Sequence, residues 1–250
     1  MKLLLNNTEY IETDQPIDIS ISLSNTDSNP KAWYVDTPIF EPVRTEHYTG
    51  SVAEGGSVNF RNIFFNPHGH GTHTECLGHI TKEVHSINQS LTKFFFKARL
   101  VSIDPIERKN GDGDMDLVVT SDLITEEMLT EEALIIRTLP NDLKKKSMDY
   151  SSTNPIYFDV DCARKIVQAG VKHLLIDLPS VDRENDNGEL AFHHAFWEVP
   201  DNPNFERTIT ELIFVNDKVD DGCYVLNFQV APFENDASPS RPVLYSIQKD

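Results

Sequence analysis

Between His68 and His79 the chain reads His-Gly-His-Gly-Thr-His-Thr-Glu-Cys-Leu-Gly-His. This segment constrains the fold more than any other. Its glycines disfavour a helix. His73 and Glu75 are separated by one residue, so on an extended chain both side chains point to one face. On a helix they would diverge by roughly 200°. Neutral imidazole and carboxylate together suit a borderline divalent metal. Single histidines more often serve as hydrogen-bonded structural residues, but four of the nine in the chain lie within these twelve positions. There is no cysteine pair and no His-Glu-x-x-His spacing, so neither a zinc finger nor a metalloprotease helix is indicated. The residues alone therefore predict a metal site of open chemistry.

Composition narrows the partners. The chain has 250 residues, 39% hydrophobic and 25% charged, enough for one sizeable core. Its formal net charge of −18 and the lack of a basic stripe argue against nucleic acid. Lys144, Lys145 and Lys146 form the one basic run and read as a solvated helix end or loop. The apolar start Leu3-Leu4-Leu5 is too short for a signal peptide or a membrane span. With Cys76, Cys162 and Cys223 far apart and odd in number, a reducing, cytoplasmic setting is expected. Cys76 points away from His73 and Glu75 on an extended segment and reads as structural.

Strand and helix patterns alternate. Ile17 to Leu23 alternates apolar and polar residues like a half-buried strand, and Ser57 to Phe65 is a second extended candidate. Phe94 to Ile103, Ala133 to Thr138 and Val171 to Asp177 read as strands. Residues 110 to 114 read as a turn, and Ser121 to Thr130 as a short helix. Asp159 is an expected N-cap for a helix from Val160 to Ala169, stopped by Gly170. This mixture without a linker predicts one α/β domain over residues 1–250.

A second polar cluster spans Asp177 to Asp182 and continues at His193 and His194. Ligands often gather at such strand ends. A turn followed by an amphipathic helix would give the same letters. Phe64, Phe65, Phe192, Phe196 and Trp197 suit either an apolar pocket or the core, and core is the commoner fate of such residues.

The two clusters together resemble the metal-dependent cyclase family, which includes bacterial kynurenine formamidases and isatin hydrolases. Its pattern His-x-Gly-Thr-His-x-Asp-x-Pro-x-His is matched here at Gly71, Thr72, His73 and His79. The stretch Asp159 to Asp182 is similar to the family's helix, strand and Leu-Ile-Asp-x-Pro-Ser-Val-Asp segment. His193 follows at the place of the family's distal histidine, and Thr210-Glu211-Leu212 resembles its later glutamate segment. The sequence departs in three places: Glu75 replaces Asp, Leu77 replaces Pro, and Gly69 stands at the first His, between His68 and His70. The last departure reads as a one-residue insertion forming a bulge.

The resemblance implies a swivelling β/β/α fold, with a mixed, barrel-like sheet and flanking helices. It implies a metal-dependent hydrolase of a small-molecule C–N bond in an amide, formamide or cyclic amide. Hydrolysis or cyclisation of a lactone or polyketide carbonyl, and non-catalytic metal binding, are the alternatives. The implied ligands are His68 or His70, His73, Glu75, His193, and Glu211 or Glu198, on one or two Zn²⁺ or Mn²⁺ ions. His79 is the implied general acid/base. A homodimer or homotetramer is implied as well. Trp33 and Tyr34 precede a proline-containing loop placed to close over a site.

Overall fold

A computed structural model describes residues 1–111 and 113–249. Nine strands form one mixed sheet that curls into a half-barrel. In chain order they are β1 (Ile17–Asp18), β2 (His73–Glu75), β3 (Phe95–Ile103), β4 (Ala133–Thr138), β5 (His173–Ile176), β6 (Thr208–Glu211), β7 (Gly222–Asn227), β8 (Ala237–Pro239) and β9 (Val243–Ser246). Their spatial order is β8-β2-β6-β5-β4-β3-β7-β9-β1. The central run β6-β5-β4-β3 is parallel, and antiparallel strands flank it on both sides.

The parallel strands explain the near-continuous apolar runs. All six residues of β4 are buried, as expected where both faces of a sheet are covered. Leu134 and Ile136 face one core with Leu174, Ile176 and Ile209. Ala133 and Ile135 face a second core with Leu100, Leu226 and Phe228. Two helices cover the first face, α1 (Val160–Gln168) and α2 (Ala191–Trp197). The Asp159 carboxylate accepts from Asp161 N at the start of α1, and Gly170 takes φ +84° just past its end. Phe192, Phe196 and Trp197 are wholly buried in this core rather than in a pocket.

Several sequence expectations are corrected. The Ile17 to Leu23 pattern yields only the two-residue β1. Ile19 and Ile21 are buried as the alternation predicts, but Ile21 N donates to the Thr72 hydroxyl instead of continuing the ladder. Ser57 to Phe65 contributes the strand Arg61–Phe64, paired with Ile39–Pro42 in an exposed ribbon, so Phe64 reaches neither core nor pocket. The helix expected over Ser121 to Thr130 is a single 3₁₀ turn, Glu126–Met128. Lys145 is not solvated: it is buried and pairs with the wholly buried Asp177 at 2.8 Å. The turn at 110 to 114 closes through Asp114 N on Asn110 Oδ1, and Asp112 lies outside the described residues. Among the described residues no helix is long and apolar enough to cross a membrane, and the three cysteines are unpaired.

Candidate active site

The site lies where β2 meets the carboxyl ends of β5 and β6. Strand β2 carries His73 and Glu75, and both side chains are fully buried. The register of β6 sets Glu211 directly opposite His73, with Glu211 Oε2 3.4 Å from His73 Nε2. Strand β8 flanks β2 on the other side and sets Ala237 opposite Glu75, which places Asp236 at the edge of the cluster. From the loop after β5, Asp182 accepts from the backbone of Phe192 and His193 at the start of α2. The same carboxylate takes His193 Nδ1 at 2.6 Å.

The turn before β2 decides which of its two histidines enters. His68 Nδ1 is 3.1 Å from Glu75 Oε2, and His68 Nε2 is 2.9 Å from Asp236 Oδ2. His70 turns the other way: Asn66 N donates to its Nδ1, and its Nε2 meets Asp36 O at 2.6 Å. The extra residue is thus accommodated in a turn over residues 67 to 69, not in a β-bulge. Gly69 is required there, since a Cβ would lie 2.8 Å from Val35 Cγ2 and 3.1 Å from Ala32 O. Glu198 is also excluded from the cluster, because it pairs with Arg207 and lines a separate groove with Arg164 and His194.

The imidazoles share one arrangement. His73 Nδ1 donates to Gly71 O at 3.0 Å, His193 Nδ1 to Asp182, and His68 Nε2 to Asp236. Carbonyl and carboxylate oxygens only accept, so these ring nitrogens carry the proton. The opposite nitrogens, His73 Nε2, His193 Nε2 and His68 Nδ1, all face Glu75 or Glu211. Three buried atoms here lack any hydrogen-bond partner: His73 Nε2, Glu75 Oε2 and Glu211 Oε1. Orphaned buried atoms of this kind are costly unless something binds them. This donor set, three nitrogens and two carboxylates, fits a divalent cation, and His68, His73 and Glu75 already lie close enough to share one.

The electrostatics fit as well. Burial pushes Glu75 up, but the imidazoles of His79, His193 and His68 outweigh it and hold the carboxylate well below its usual range. Burial, followed by the neighbouring Glu75 charge, raises Glu211. Burial disfavours charged His68, yet Asp236 and Glu75 lift it to about 10. Burial likewise opposes charged His193, and Asp182 and Glu75 lift it to about 10. Without a cation, protons on these rings balance the carboxylates.

His79 stands at the mouth. A 3₁₀ turn, Leu77–His79, carries it over the cluster, with its ring stacked on His68 at 4.3 Å. Its Nδ1 is 3.3 Å from Asp236 Oδ2, and its Nε2 is 3.9 Å from Glu75 Oε2. A cavity of about 320 Å³ opens beside it, lined by His68, His193 and Glu211 and by the apolar Trp33, Val35 and Leu190. A cavity of about 450 Å³ near Asp18 and Arg241 is larger, but His70 lines it and none of the converging donors does. Of these two cavities, the smaller is the one that borders the converging donors.

The sequence pattern of the Cyclase family matches residues 17–183. The chain belongs to the Cyclase family. A kynurenine formamidase from Bacillus cereus is 26% identical to it over 239 residues, 95% of this chain and all of the relative. Among solved structures, isatin hydrolase A from Labrenzia aggregata superposes with a TM-score of 0.60 at 12% identity, over 92% of this chain and 93% of that one. A protein from Bacillus stearothermophilus described as a predicted metal-dependent hydrolase gives 0.61 at 16% identity, over 92% and 98%. At these identities the two structures speak for the fold.

Of the residues singled out from the sequence of this Cyclase-family chain, the structure gathers His68, His73, Glu75, His79, His193 and Glu211 in one cluster. It leaves His70 and Glu198 outside. Cys76 is buried and turned away, with its thiol on His85 O. Sequence reasoning missed Asp236, which carries no motif and is one of forty acidic residues. The signal that finds it is strand register, which no single sequence displays.

Proposed function

We propose that this protein is a metal-dependent hydrolase that cleaves a C–N bond in a small amide, formamide or cyclic amide. The observation that carries this reading is the common arrangement of His68, His73 and His193, each with one nitrogen anchored and the other aimed at Glu75 or Glu211. The kynurenine formamidase relatives, aligned along their whole length, support the bond type. His68, His73, Glu75, His193 and Glu211 would hold Zn²⁺ or Mn²⁺. When bound, such an ion polarises a carbonyl and lowers the pKa of water from ~15.7 towards 7.

The remaining work falls to the chain. Trp33, Val35 and Leu190 provide the apolar wall that receives the substrate and excludes water. His79 takes a proton from the attacking water and returns it to the leaving nitrogen, a role suited to imidazole near neutral pH. Its partial exposure at the cavity favours this over a closed structural site. Hydrolysis of a lactone or polyketide carbonyl would use the same groups. The working form is a homodimer or homotetramer, and the exposed Ile39, Ile63 and Phe64 of the ribbon, with Phe60 just before it, support it.

The test is a chelator-stripped preparation reloaded with Zn²⁺ or Mn²⁺ and assayed on N-formyl arylamines, cyclic amides and lactones. Wild type is expected to hydrolyse an amide. His79→Ala is expected to keep its metal and lose roughly 10²–10⁴-fold in kcat. If His79→Ala retains both metal and every activity found, the catalytic assignment fails.

A further inference from the structure

Asp236 lies within hydrogen-bonding distance of both a ring of the cluster and His79. A single oxygen, Oδ2, lies 2.9 Å from His68 Nε2 and 3.3 Å from His79 Nδ1. The two rings stack nearly parallel, with 29° between their planes. The backbone fixes the carboxylate from two sides. Ala237 pairs with Glu75 in the sheet, and Asp236 O accepts from Cys76 N at 3.0 Å. Asp236 therefore sits where it does because of β2, the strand that carries the central carboxylate.

We propose that Asp236 is a positioning residue that sets the orientation and tautomer of His68 and His79 together; the proposal deepens the hydrolase reading above and rests on it. A carboxylate oxygen accepts and never donates, so both facing nitrogens carry hydrogen. With a cation in the cluster to replace the second proton, each imidazole is neutral and carries one such hydrogen. His68 Nδ1 and His79 Nε2 are then left as lone pairs, and both face Glu75 Oε2, at 3.1 and 3.9 Å. One side chain thus leaves a metal-binding nitrogen and a proton-accepting nitrogen both turned towards Glu75, beside the cavity that His68 and His79 line. Groups hydrogen-bonded behind a ligand or a base characteristically contribute in this way, by fixing ring direction and basicity. Asp182 does the same for His193 alone.

The test compares wild type with Asp236→Asn, which keeps the shape but offers N–H donors, and with Asp236→Glu, which keeps the charge. The ¹⁵N-histidine NMR spectrum of the metal-free protein, at a pH where the ring is neutral, reports the His79 tautomer. Wild type is expected to show hydrogen on Nδ1, and Asp236→Asn a shift towards the Nε2–H form. In the metal-loaded enzyme, Asp236→Asn is expected to lose roughly 10- to 100-fold in kcat. Its KM should stay within about threefold and its metal stoichiometry should not change. Asp236→Glu is expected to recover part of the loss. An unchanged tautomer together with unchanged kcat overturns the proposal. Loss of one metal equivalent in Asp236→Asn also overturns it, because Asp236 would then be a ligand. If wild type hydrolyses nothing, the hydrolase reading fails, and the NMR result decides separately whether Asp236 positions the ring.

Discussion

His68, His73 and His193 differ in sequence position but are treated alike by the fold: an acceptor behind each ring and a carboxylate in front. His173 shows the contrasting fate. It packs between Phe96 and Phe228, shares a hydrogen bond with the Thr208 hydroxyl, and is driven down to about 3, chiefly by burial. The folded protein therefore resists protonating it, whereas the unfolded chain protonates it near 6.5. Its contribution to stability is fully present above pH 6.5 and is lost as pH falls from there towards 3. Between pH 6.5 and 4.5 this amounts to about 2–3 kcal/mol. Urea denaturation of wild type and His173→Phe across that range should show the variant with the shallower acid dependence. Parallel curves would remove His173 as the cause. A buried neutral imidazole and a ligand imidazole look alike in sequence. His73 stood apart only because Glu75 follows two residues later.

At the scale of elements, the short turns around β2 do the positioning. Gly78 lies between Leu77 and His79, and a Cβ there would sit 2.2 Å from His85 O and 2.8 Å from His85 N. Backbone cannot yield as a flexible side chain does, so Gly78→Ala must displace the turn that carries His79. A stability loss of about 1–3 kcal/mol is expected, with a fall in kcat and retained metal. Thermal unfolding with wild-type midpoint and activity would contradict it. The regular elements were legible where burial imposes a period. The strands from Phe95 and from Ala133, and the helix capped by Asp159, follow from apolar runs and capping chemistry. The turn ahead of β2 was not legible. Whether His68 or His70 enters depends on Asn66 and Asp36 holding His70 away, and the letters do not show such contacts. The alternation from Ile17 to Leu23 marked burial correctly but not pairing, because a Thr72 hydroxyl replaces the neighbouring strand.

Across the whole molecule, the site is assembled from segments far apart in the chain. Residues 68 to 79, His193, Glu211 and Asp236 meet because β2 is inserted antiparallel between β6 and β8. The family pattern brought out His193 and Glu211 in advance. Asp236 required the sheet itself. Trp33, from the segment after β1, lines the cavity beside the cluster. Buried in the middle of this assembly, Glu75 contacts His68 and His193 and leaves Oε2 without a hydrogen bond. The most direct test is calorimetric titration of Zn²⁺ and of Mn²⁺ into chelator-stripped wild type and Glu75→Gln. The account predicts at least one equivalent bound per wild-type chain, with stabilisation of about 2.7 kcal/mol when free metal is a hundred times Kd. It also predicts affinity at least roughly tenfold weaker in Glu75→Gln. Absence of stoichiometric binding to wild type, or equal affinity in the two proteins, would contradict the claim that this cluster is a metal centre.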